Sequence, residues 1–265
     1  MKEGISLKKY HVITGASSGI GAAVAMAFAQ RGKHVILIAR RKEKLAELKE
    51  QIQQQYPAVE VIIQPFDLTN IAQLEDLFQQ LTRYHIETWI NNAGFGYYTT
   101  VAEQSLTRTK DLLQLNVEAL TILSLLYVQK YQNQPNTQLI NISSAGGYTM
   151  VPTAVTYCAS KFYVSAFTEG LALELQASGL PMQAKVLAPA ATKTEFGKVA
   201  NNSTTYDYDQ TFPRYHDANE MAQFLMELYD SHQIVGAIDR ETFTFVLSGH
   251  KFADARSSNN NQQIK

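Results

Sequence analysis

Short apolar segments alternate with longer stretches of helical periodicity along nearly the whole chain. Seven segments rich in β-branched and aromatic residues are predicted to be strands buried on both faces: 10–13, 34–39, 59–64, 88–91, 138–143, 182–187 and 242–247. Six stretches between them are predicted to be helices: 22–31, 42–55, 71–84, 107–131, 155–178 and 218–231. This alternation predicts an α/β fold with a doubly wound parallel sheet and helices on both faces.

A single domain is expected to cover residues 1–256, because no linker and no internal repeat divides the chain. Residues 257–265 are rich in amides and nearly free of apolar side chains, which predicts a disordered tail. The N-terminus leads directly into a predicted strand, and the longest apolar runs are too short to cross a membrane as a helix. The sequence therefore predicts a soluble cytoplasmic protein.

The composition narrows the possible partners. The 265 residues are 45% hydrophobic and 18% charged, and 23 Lys and Arg against 24 Asp and Glu give a net charge of −1. This balance predicts neither nucleic-acid nor membrane-surface binding, since both need clustered cations. Cys158 is the only cysteine, so no internal disulfide forms, and the six histidines lack metal-ligand spacing. No metal site is predicted.

A glycine-rich segment joins the first predicted strand to the first predicted helix: Thr14-Gly15-Ala16-Ser17-Ser18-Gly19-Ile20-Gly21. Gly15 allows a sharp turn, Gly19 leaves room for a pyrophosphate, and Gly21 permits close packing between helix and strand. The free N–H groups and the dipole at the helix start attract an anion. The segment is interpreted as a dinucleotide-binding loop; the alternative is a glycine-rich turn that binds nothing.

The end of the second predicted strand indicates which dinucleotide is bound. A ribose with a free 2′-hydroxyl is usually held by a carboxylate here, but Ala39 stands at that position and Arg40 and Arg41 follow. Arginine suits a 2′-phosphate. The sequence predicts NADP(H) as the preferred cofactor and leaves NAD(H) possible, with Arg40 as the main contact and Arg41 or Ser17 as a secondary one. The alternative is that Arg40 and Arg41 only form a solvent-exposed start of the next helix and contact no cofactor.

Tyr157 and Lys161 lie four residues apart in a predicted helix, so they project from one face. A carbonyl that accepts a hydride needs a proton, and the reverse reaction needs a base. Because a nearby ammonium and an oxidised nicotinamide both favour phenolate, the pKa of Tyr157 is expected to fall toward neutral pH. The alternative is that Tyr157 is an aromatic side chain that packs against its neighbours in the helix and has no catalytic role.

Seven motifs in order resemble the short-chain dehydrogenase/reductase family, classical type, over roughly residues 8–250. They are Thr14–Gly21, Asp67-Leu68, Asn91-Asn92-Ala93-Gly94, Asn116, Ser143-Ser144, Tyr157-Cys158-Ala159-Ser160-Lys161 and Pro189–Thr194. The resemblance implies a Rossmann-like fold and an oxidoreductase that interconverts a carbonyl and an alcohol with NAD(P). It also implies a homodimer or homotetramer.

The resemblance assigns four catalytic residues. Besides Tyr157 and Lys161, Ser144 orients the substrate oxygen, and Asn116 holds a water that leads from the lysine to solvent. Ser143 is interpreted as a strand-end residue, although a register error of one place remains open. For Asn116 the alternative is a buried side-chain amide that makes its hydrogen bonds within the core and has no catalytic role.

The remaining cofactor contacts also come from the resemblance. Asp67 and Leu68 meet the adenine, backbone at Asn91, Ala93 and Gly94 meets the ribose, and Pro189, Thr192 and Thr194 meet the nicotinamide. The full predicted set is Gly15, Ser17, Ser18, Gly19, Ile20, Gly21, Arg40, Arg41, Asp67, Leu68, Asn91, Ala93, Gly94, Tyr157, Lys161, Pro189, Thr192 and Thr194. One departure is Ala190, where the family usually has glycine, and it puts the nicotinamide geometry in doubt.

The predicted substrate-binding lid covers residues 195–215 and carries five aromatic residues: Phe196, Tyr206, Tyr208, Phe212 and Tyr215. Tyr97, Tyr98, Tyr148 and Met150 lie in other loops of the same sheet edge. They predict an apolar or aromatic carbonyl or alcohol substrate; the alternative is that these side chains pack the lid onto its own protein.

Two further hypotheses remain. A catalytically silent NADP(H)-binding sensor or scaffold is possible on the same fold, whereas a sugar-nucleotide epimerase or dehydratase is disfavoured by the glycine spacing. Apolar residues of two helices predict a homo-oligomer interface, against the alternative of a covered monomer core. They are Leu120, Ile122, Leu125, Leu126, Phe167, Leu171, Leu173 and Leu175.

Overall fold

The computed structural model describes residues 8–254. The predicted disordered tail and the outermost residues of the predicted domain lie outside this range. Ten strands are present in it: β1 (Lys9–Thr14), β2 (His34–Ala39), β3 (Val61–Pro65), β4 (His85–Asn91), β5 (Gln138–Ile142), β6 (Gln183–Ala188), β7 (Thr192–Lys193), β8 (His216–Asp217), β9 (Val235–Ile238) and β10 (Phe245–Ser248).

Nine α-helices lie between these strands within the described range. They are α1 (Gly19–Gln30), α2 (Lys42–Gln55), α3 (Leu74–Leu81), α4 (Leu106–Leu113), α5 (Leu120–Tyr131), α6 (Val155–Ala177), α7 (Phe196–Ala200), α8 (Tyr208–Thr211) and α9 (Ala218–Asp230). A π-helical segment, Gln114–Ala119, joins α4 to α5 without a break. The sequence predicted this whole stretch as one regular helix.

Eight strands form one sheet in the order β10-β9-β6-β5-β4-β1-β2-β3. All neighbours are parallel except β10, which runs antiparallel to β9. The prediction of a doubly wound, mostly parallel α/β sheet is confirmed. Strand order reverses between β1 and β4, and ligands of such sheets bind beyond the carboxyl ends of the strands at this point.

The last strands differ from the prediction. The predicted strand 242–247 corresponds to β10, which forms the antiparallel edge rather than the seventh parallel strand. The parallel strand beside β6 is β9, a four-residue segment that the sequence did not predict. Its short length and its glycine, Gly236, give it a weak strand pattern.

Two apolar layers cover the sheet, and alternate residues of each strand feed them. Val12 packs into the layer built by α3, α5 and α6, whereas Ile13 packs into the layer built by α1, α2 and α9. The continuous helical stretch Leu106–Tyr131 is long and apolar enough to cross a membrane by composition. Its inward side packs in the core through Leu123 and Tyr127.

The predicted oligomer stripe is divided between core and surface. Leu120 and Leu175 are buried and belong to the protein's own interior, contrary to their predicted place in the stripe. Leu125, a predicted stripe residue on α5, is exposed, and so is Tyr163 on α6, which was not part of the predicted stripe. Tyr163 is tied to α5 by a 2.8 Å hydrogen bond between its hydroxyl and Thr121 Oγ1.

Candidate active site

The loops after β1, β4 and β5 meet at the carboxyl edge of the sheet. The loop after β1 requires glycine at two places: Gly15 and Gly19 have φ angles of +65° and +55°, which other residues rarely adopt. A Cβ at Gly21 would lie 2.5 Å from Gly15 O and from Asn92 Nδ2. These glycines keep open the concave backbone surface that a pyrophosphate requires, so the loop fits a dinucleotide cofactor.

Asn92 and Thr14 hold this loop in shape. Asn92 Nδ2 donates to the carbonyl oxygens of Thr14 at 2.9 Å and Gly15 at 3.3 Å. Thr14 Oγ1 in turn accepts from the backbone N–H groups of Asn92 and Ala93 at 2.9 and 3.0 Å. The loop after β4 therefore supports the loop after β1, which is a structural role for Asn92.

The two arginines after β2 point in different directions. Arg41 donates to Ser17 Oγ, Ser18 Oγ and Glu195 Oε2, with the last contact at 2.9 Å. Arg40 extends into solvent with its side chain 72% exposed, and its NH1 lies 3.8 Å from Asp67 Oδ2. The arginine that touches the phosphate loop is thus Arg41, whereas the sequence favoured Arg40 as the main contact.

The predicted adenine and ribose contacts differ in accessibility. Asp67 is partly exposed beside Arg40, but the side chain of Leu68 is buried in the core, so only its backbone can meet a ligand. The side chain of Asn91 is also buried. It bonds to Ser124 Oγ, Asn141 Oδ1 and Trp89 Nε1 at 2.8–3.0 Å, which leaves its backbone as the remaining contact.

Tyr157 and Lys161 lie on one face of α6, as their spacing predicts, and both are buried. Lys161 Nζ lies 5.9 Å from the centre of the Tyr157 ring and donates a 2.8 Å hydrogen bond to Ile142 O at the end of β5. Burial lowers the pKa of Lys161 to about 8. Burial also raises the pKa of Tyr157 above its ordinary value. The lowering expected from the sequence concerns a site with an oxidised nicotinamide bound and stays a prediction.

Ser144 rather than Ser143 faces this pair. Its hydroxyl lies close enough to lower the pKa of Tyr157, which favours the phenolate, and its Oγ accepts a 3.0 Å bond from Gly146 N. Ser143 Oγ points into the core, where it donates to Lys161 O at 2.9 Å and meets Ser165 Oγ at 2.7 Å. Ser143 therefore anchors α6 to the end of β5.

Asn116 lies in the π-helical segment and is fully buried. Its Nδ2 donates to Phe95 O at 3.0 Å and to Ser160 Oγ at 3.2 Å, and its Oδ1 accepts from Phe95 N at 3.1 Å. A Cβ on Gly94 would lie 3.0 Å from Asn116 Oδ1 and 3.5 Å from Lys161 Nζ. Asn116 thus lies beside Lys161, but its hydrogen bonds hold the loop after β4 in place.

The segment after β6 closes the other side of the site. Pro189 O accepts from Ala145 N at 2.7 Å, and Thr192 is buried where β7 pairs with β8. Thr194 Cγ2 lies 3.1 Å from the Cβ position of Gly19, so the predicted nicotinamide and phosphate contacts adjoin. The non-glycine residues with positive φ in the described range are Asn136, Asn202 and Phe243. Ala190 therefore has ordinary backbone geometry, and its replacement of glycine introduces no strain.

Aromatic side chains cover Tyr157. The Phe196 ring lies 5.5 Å from the Tyr157 ring, and the Tyr98 ring lies 6.3 Å from it, edge to face. Gly96 is needed for this arrangement, because a Cβ there would lie 2.6 Å from Phe196 Cζ. The surface over the phenol is therefore apolar and aromatic.

Most other lid aromatics pack on one another. Tyr208 is buried, and its ring contacts Tyr206, Phe212 and Tyr215 at 4.9–5.9 Å. Its hydroxyl accepts from Gly197 N at 3.1 Å. For these four residues the geometry matches the alternative in which the lid packs onto its own protein, whereas Phe196 lines the site.

Three supporting residues were not singled out by the sequence reasoning. Glu195 links the lid to Arg41, Ser160 Oγ donates to Tyr157 O at 2.7 Å while it holds Asn116, and Ile142 offers its carbonyl oxygen to Lys161. Only Ser160 carried a signal, as a polar residue one turn from Tyr157. In the described part of the chain, no group of three or more His, Cys, Asp or Glu residues could hold a metal ion.

Comparison with protein families and known proteins agrees with this geometry. The family model described as short chain dehydrogenase matches residues 9–205. Dehydrogenase/reductase SDR family member 11 of Homo sapiens is 35% identical over 192 residues, which cover 70% of this chain and 74% of that protein.

Two solved structures are similar over most of their length. A short-chain dehydrogenase from Sphingobium yanoikuyae in complex with NADPH has a TM-score of 0.79 and 30% identity, and the match covers 89% of both chains. The bulky-bulky ketone specific alcohol dehydrogenase from Comamonas testosteroni has a TM-score of 0.73 and 28% identity, with 87% of this chain and 86% of that chain covered.

Proposed function

The chain belongs to the short chain dehydrogenase family, and from this premise we propose that it transfers a hydride between NADP(H) and a carbonyl or alcohol substrate. The observation that carries the proposal is the convergence of Ser144, Tyr157 and Lys161 at the carboxyl edge of the sheet, beside the glycine loop. A sensor or scaffold would need only the loop, so this acid–base arrangement supports an enzyme.

The cofactor is a nicotinamide dinucleotide, and NADP(H) is the proposed form. Ala39 offers no carboxylate at the end of β2, whereas Arg40 and Arg41 bring two guanidinium groups to the adenosine side of the loop. Arg41 is already oriented by Ser17 and Ser18, and Arg40 is free to turn from the long contact with Asp67. Both suit a 2′-phosphate. The similar Sphingobium dehydrogenase is described as a complex with NADPH, which supports the same choice.

The proton step rests on Tyr157. When bound, the nicotinamide ring supplies the hydride for reduction or accepts it for oxidation. The phenol of Tyr157 holds its proton near neutral pH and can donate it to the substrate oxygen as reduction proceeds, although burial raises its pKa and makes it a weaker acid. The Ser144 hydroxyl opposes that rise and orients the same oxygen. In oxidation the phenol must give up its proton, which the positive charge of Lys161 favours.

The proposed substrate is a ketone or secondary alcohol with an apolar or aromatic group next to the reacting carbon. Phe196 and Tyr98 form an apolar roof over the Tyr157 ring, which favours flat or bulky apolar groups. The Comamonas relative is named for its specificity toward bulky-bulky ketones, and that name is consistent with such a roof.

A homodimer or homotetramer is also proposed, on the exposed Leu125 and Tyr163 of the neighbouring helices α5 and α6. Size-exclusion chromatography with light scattering tests it, since a monomer at all concentrations would contradict it. A cytoplasmic location and the absence of nucleic-acid and membrane partners stay predictions of the sequence.

The central experiment is NADPH oxidation with a panel of aliphatic, alicyclic and aryl ketones, run on wild type, Tyr157→Phe and Tyr163→Phe. Wild type should reduce part of the panel. Tyr157→Phe should lose roughly a hundredfold or more in kcat while it still binds NADPH. Tyr163→Phe removes a phenol from the exposed face of the same helix and should retain activity. Full activity in Tyr157→Phe contradicts the mechanism, and NADPH binding without turnover across the panel favours the sensor.

A further inference from the structure

A second polar cavity opens at the amino edge of the sheet, opposite the active site. Its volume is about 470 Å³, within the range of small-molecule sites. The side chains that define it are Lys33, Glu87, Gln138, Gln183, Tyr229 and His232. The strand β5 begins at this cavity and ends beside Ser144, so the two sites lie about 20 Å apart at 3.3 Å per strand residue.

The floor of the cavity continues a row of polar residues across four strands. His11 of β1 pairs with Thr88 of β4, Thr88 pairs with Gln138 of β5, and Gln138 pairs with Gln183 of β6. The next row on the same face is apolar on the first three of these strands, with Ile13, Ile90 and Ile140, and continues on β6 with the buried Lys185. On β1, β4 and β5 the polar row is therefore a local feature of the amino edge.

Several acceptors in this row have no partner. The Oε1 atoms of Gln138 and Gln183 are buried without a hydrogen bond, and so are both ring nitrogens of His11. Gln138 Nε2 donates to Tyr229 O at 3.1 Å, which fixes its amide so that the carbonyl oxygen is the unmet group. The Thr88 hydroxyl in the same row is also buried without a partner, and the neutral His11 ring carries one unpaired N–H. Buried polar atoms are normally satisfied, so this edge has polar groups available to a ligand.

Two carboxylates of the lining, Glu87 and Asp230, favour a cationic ligand group, and Lys33 is the lysine of the same lining. Glu87 is more than nine-tenths buried; Lys9 donates to its Oε1, and among the described residues His11 Nε2 lies 3.7 Å from its Oε2, beyond hydrogen-bond distance. Burial lowers the pKa of His11 to about 3, so the ring is neutral and adds no competing charge at neutral pH. The positive charges of Lys33 and Lys9 also lower the pKa of His11, and Lys33 and His232 are the lining groups that would meet a neutral or anionic end of a ligand.

The chain itself supplies an example of an ammonium bound at this edge. Lys185 Nζ, on β6, donates to the carbonyl oxygens of Leu228, Tyr229 and Ser231 at 2.6–3.0 Å. These carbonyls close the C-terminal end of α9, where the helix dipole is negative. The Tyr229 carbonyl oxygen also accepts from Gln138. The Lys185 ammonium and the unpartnered glutamine carbonyl oxygens therefore lie in the same region of the protein.

We propose that this cavity is a ligand site for the protonated amine end of a small organic molecule, held by Glu87 Oε2 and by the carbonyl oxygens of Gln138 and Gln183. The three acceptors come from three adjacent strands at one edge of the sheet, and a primary ammonium offers them three N–H donors. The site is separate from the dinucleotide crevice and does not depend on the proposed reaction.

The test is isothermal titration of the full-length protein with ethylammonium and 1,4-diaminobutane, with inorganic phosphate as the anionic probe. At least one amine should bind saturably, and Glu87→Gln and Gln183→Met should each weaken it about tenfold or more. Glu75→Gln removes the same charge from the exposed surface of α3 and should leave amine binding unchanged. Because Gln183→Met keeps the side-chain length, its thermal unfolding temperature should stay near that of wild type, which separates loss of binding from loss of fold.

Three results would overturn the proposal. They are the absence of saturable amine binding, equal amine binding by wild type and both cavity variants, and binding of phosphate in place of the amines. NADPH turnover should be unchanged in Gln183→Met, since this residue lies at the opposite edge from Tyr157.

Discussion

Lys161 Nζ and the carbonyl oxygen of Ile142 are joined by a 2.8 Å hydrogen bond. Ile142 is the last residue of β5, and Ser144 follows two residues later, so this bond fixes the lysine of α6 relative to the serine that contacts Tyr157. The end of β5 thus positions both the Lys161 ammonium and the Ser144 hydroxyl, the two groups proposed to assist Tyr157.

The rate of ketone reduction is predicted to fall as pH rises above about 8. Burial lowers the pKa of Lys161 from 10.5 to about 8, so its ammonium is present below that pH and is lost above it. Loss of the positive charge removes electrostatic support beside Tyr157. The measurement is the pH profile of kcat/KM for NADPH-dependent reduction by wild type, with protein stability followed across the same range.

Lys161→Met should lower kcat roughly a hundredfold or more and abolish the fall in kcat/KM above about pH 8. Lys110→Met is the matched control, because it removes a lysine from the neighbouring helix α4 away from Tyr157. A wild-type profile that stays flat from about pH 7 to 9 would contradict the role of the ammonium.

Arg40→Asp is predicted to weaken NADPH binding roughly 10- to 100-fold and to change NADH binding far less, because a carboxylate repels the 2′-phosphate. Fluorescence titration with both dinucleotides measures the ratio. Arg41→Ala should act in the same direction, since Arg41 contacts Ser17 and Ser18 of the phosphate loop.

Arg83→Asp makes the same charge change at an exposed position just after α3 and is the control for net charge. Equal losses for NADPH and NADH in Arg40→Asp would leave the 2′-phosphate assignment without support. If only Arg41→Ala discriminates between the two dinucleotides, Arg41 is the main contact, as its present hydrogen bonds indicate.

Phe196→Ala is predicted to lower kcat/KM for aryl ketones about tenfold while that for small aliphatic ketones changes less. Phe196 packs 5.5 Å from the Tyr157 ring, so its removal takes away apolar surface at the point where a bulky substituent would lie. Phe212→Ala is the matched control, because Phe212 packs against Tyr208 in the lid cluster. Equal effects of the two variants would argue that the lid acts only through its stability.

The sequence predicted most of the fold because strands buried on both faces leave a strong pattern. It failed at β9, where four residues including Gly236 carry too little periodicity, and at Gln114–Ala119, where the pattern continues but the backbone widens to a π-helix. The polar Asn116 within an apolar helix was the one local sign of that irregularity, since such segments often occur at functional sites.

The site was predictable where chemistry follows local spacing and unpredictable where it depends on distant contacts. Tyr157 and Lys161 lie four residues apart in one helix, so their common face follows from the sequence. The contact of Arg41 with Glu195 joins residues 154 positions apart, and no local pattern encodes it. The degree of burial of Tyr157, which raises its pKa, was also beyond the sequence, because it depends on packing against the distant Phe196 and Tyr98.

The last prediction concerns stability. The free energy of unfolding should fall as pH decreases from about 6.5 toward 3, partly because of His11. Its ring is fully buried against Phe28, and burial lowers its pKa from 6.5 to about 3. In this window the unfolded chain binds a proton that the folded protein excludes, so acid favours unfolding. Above about pH 6.5 both states hold a neutral ring and the contribution is constant.

His11→Phe removes this titration and keeps an aromatic ring against Phe28. Urea unfolding near pH 7 and near pH 5 should show that wild type loses about 2 kcal/mol more than the variant between the two conditions. His250→Phe, at an exposed position, should retain the wild-type pH dependence. The His11→Phe variant should be no less stable than wild type near pH 5, since the substitution also removes two buried nitrogens without partners. A His11→Phe protein with the full wild-type slope would mean that other groups account for the acid sensitivity and that His11 is protonated in the folded state.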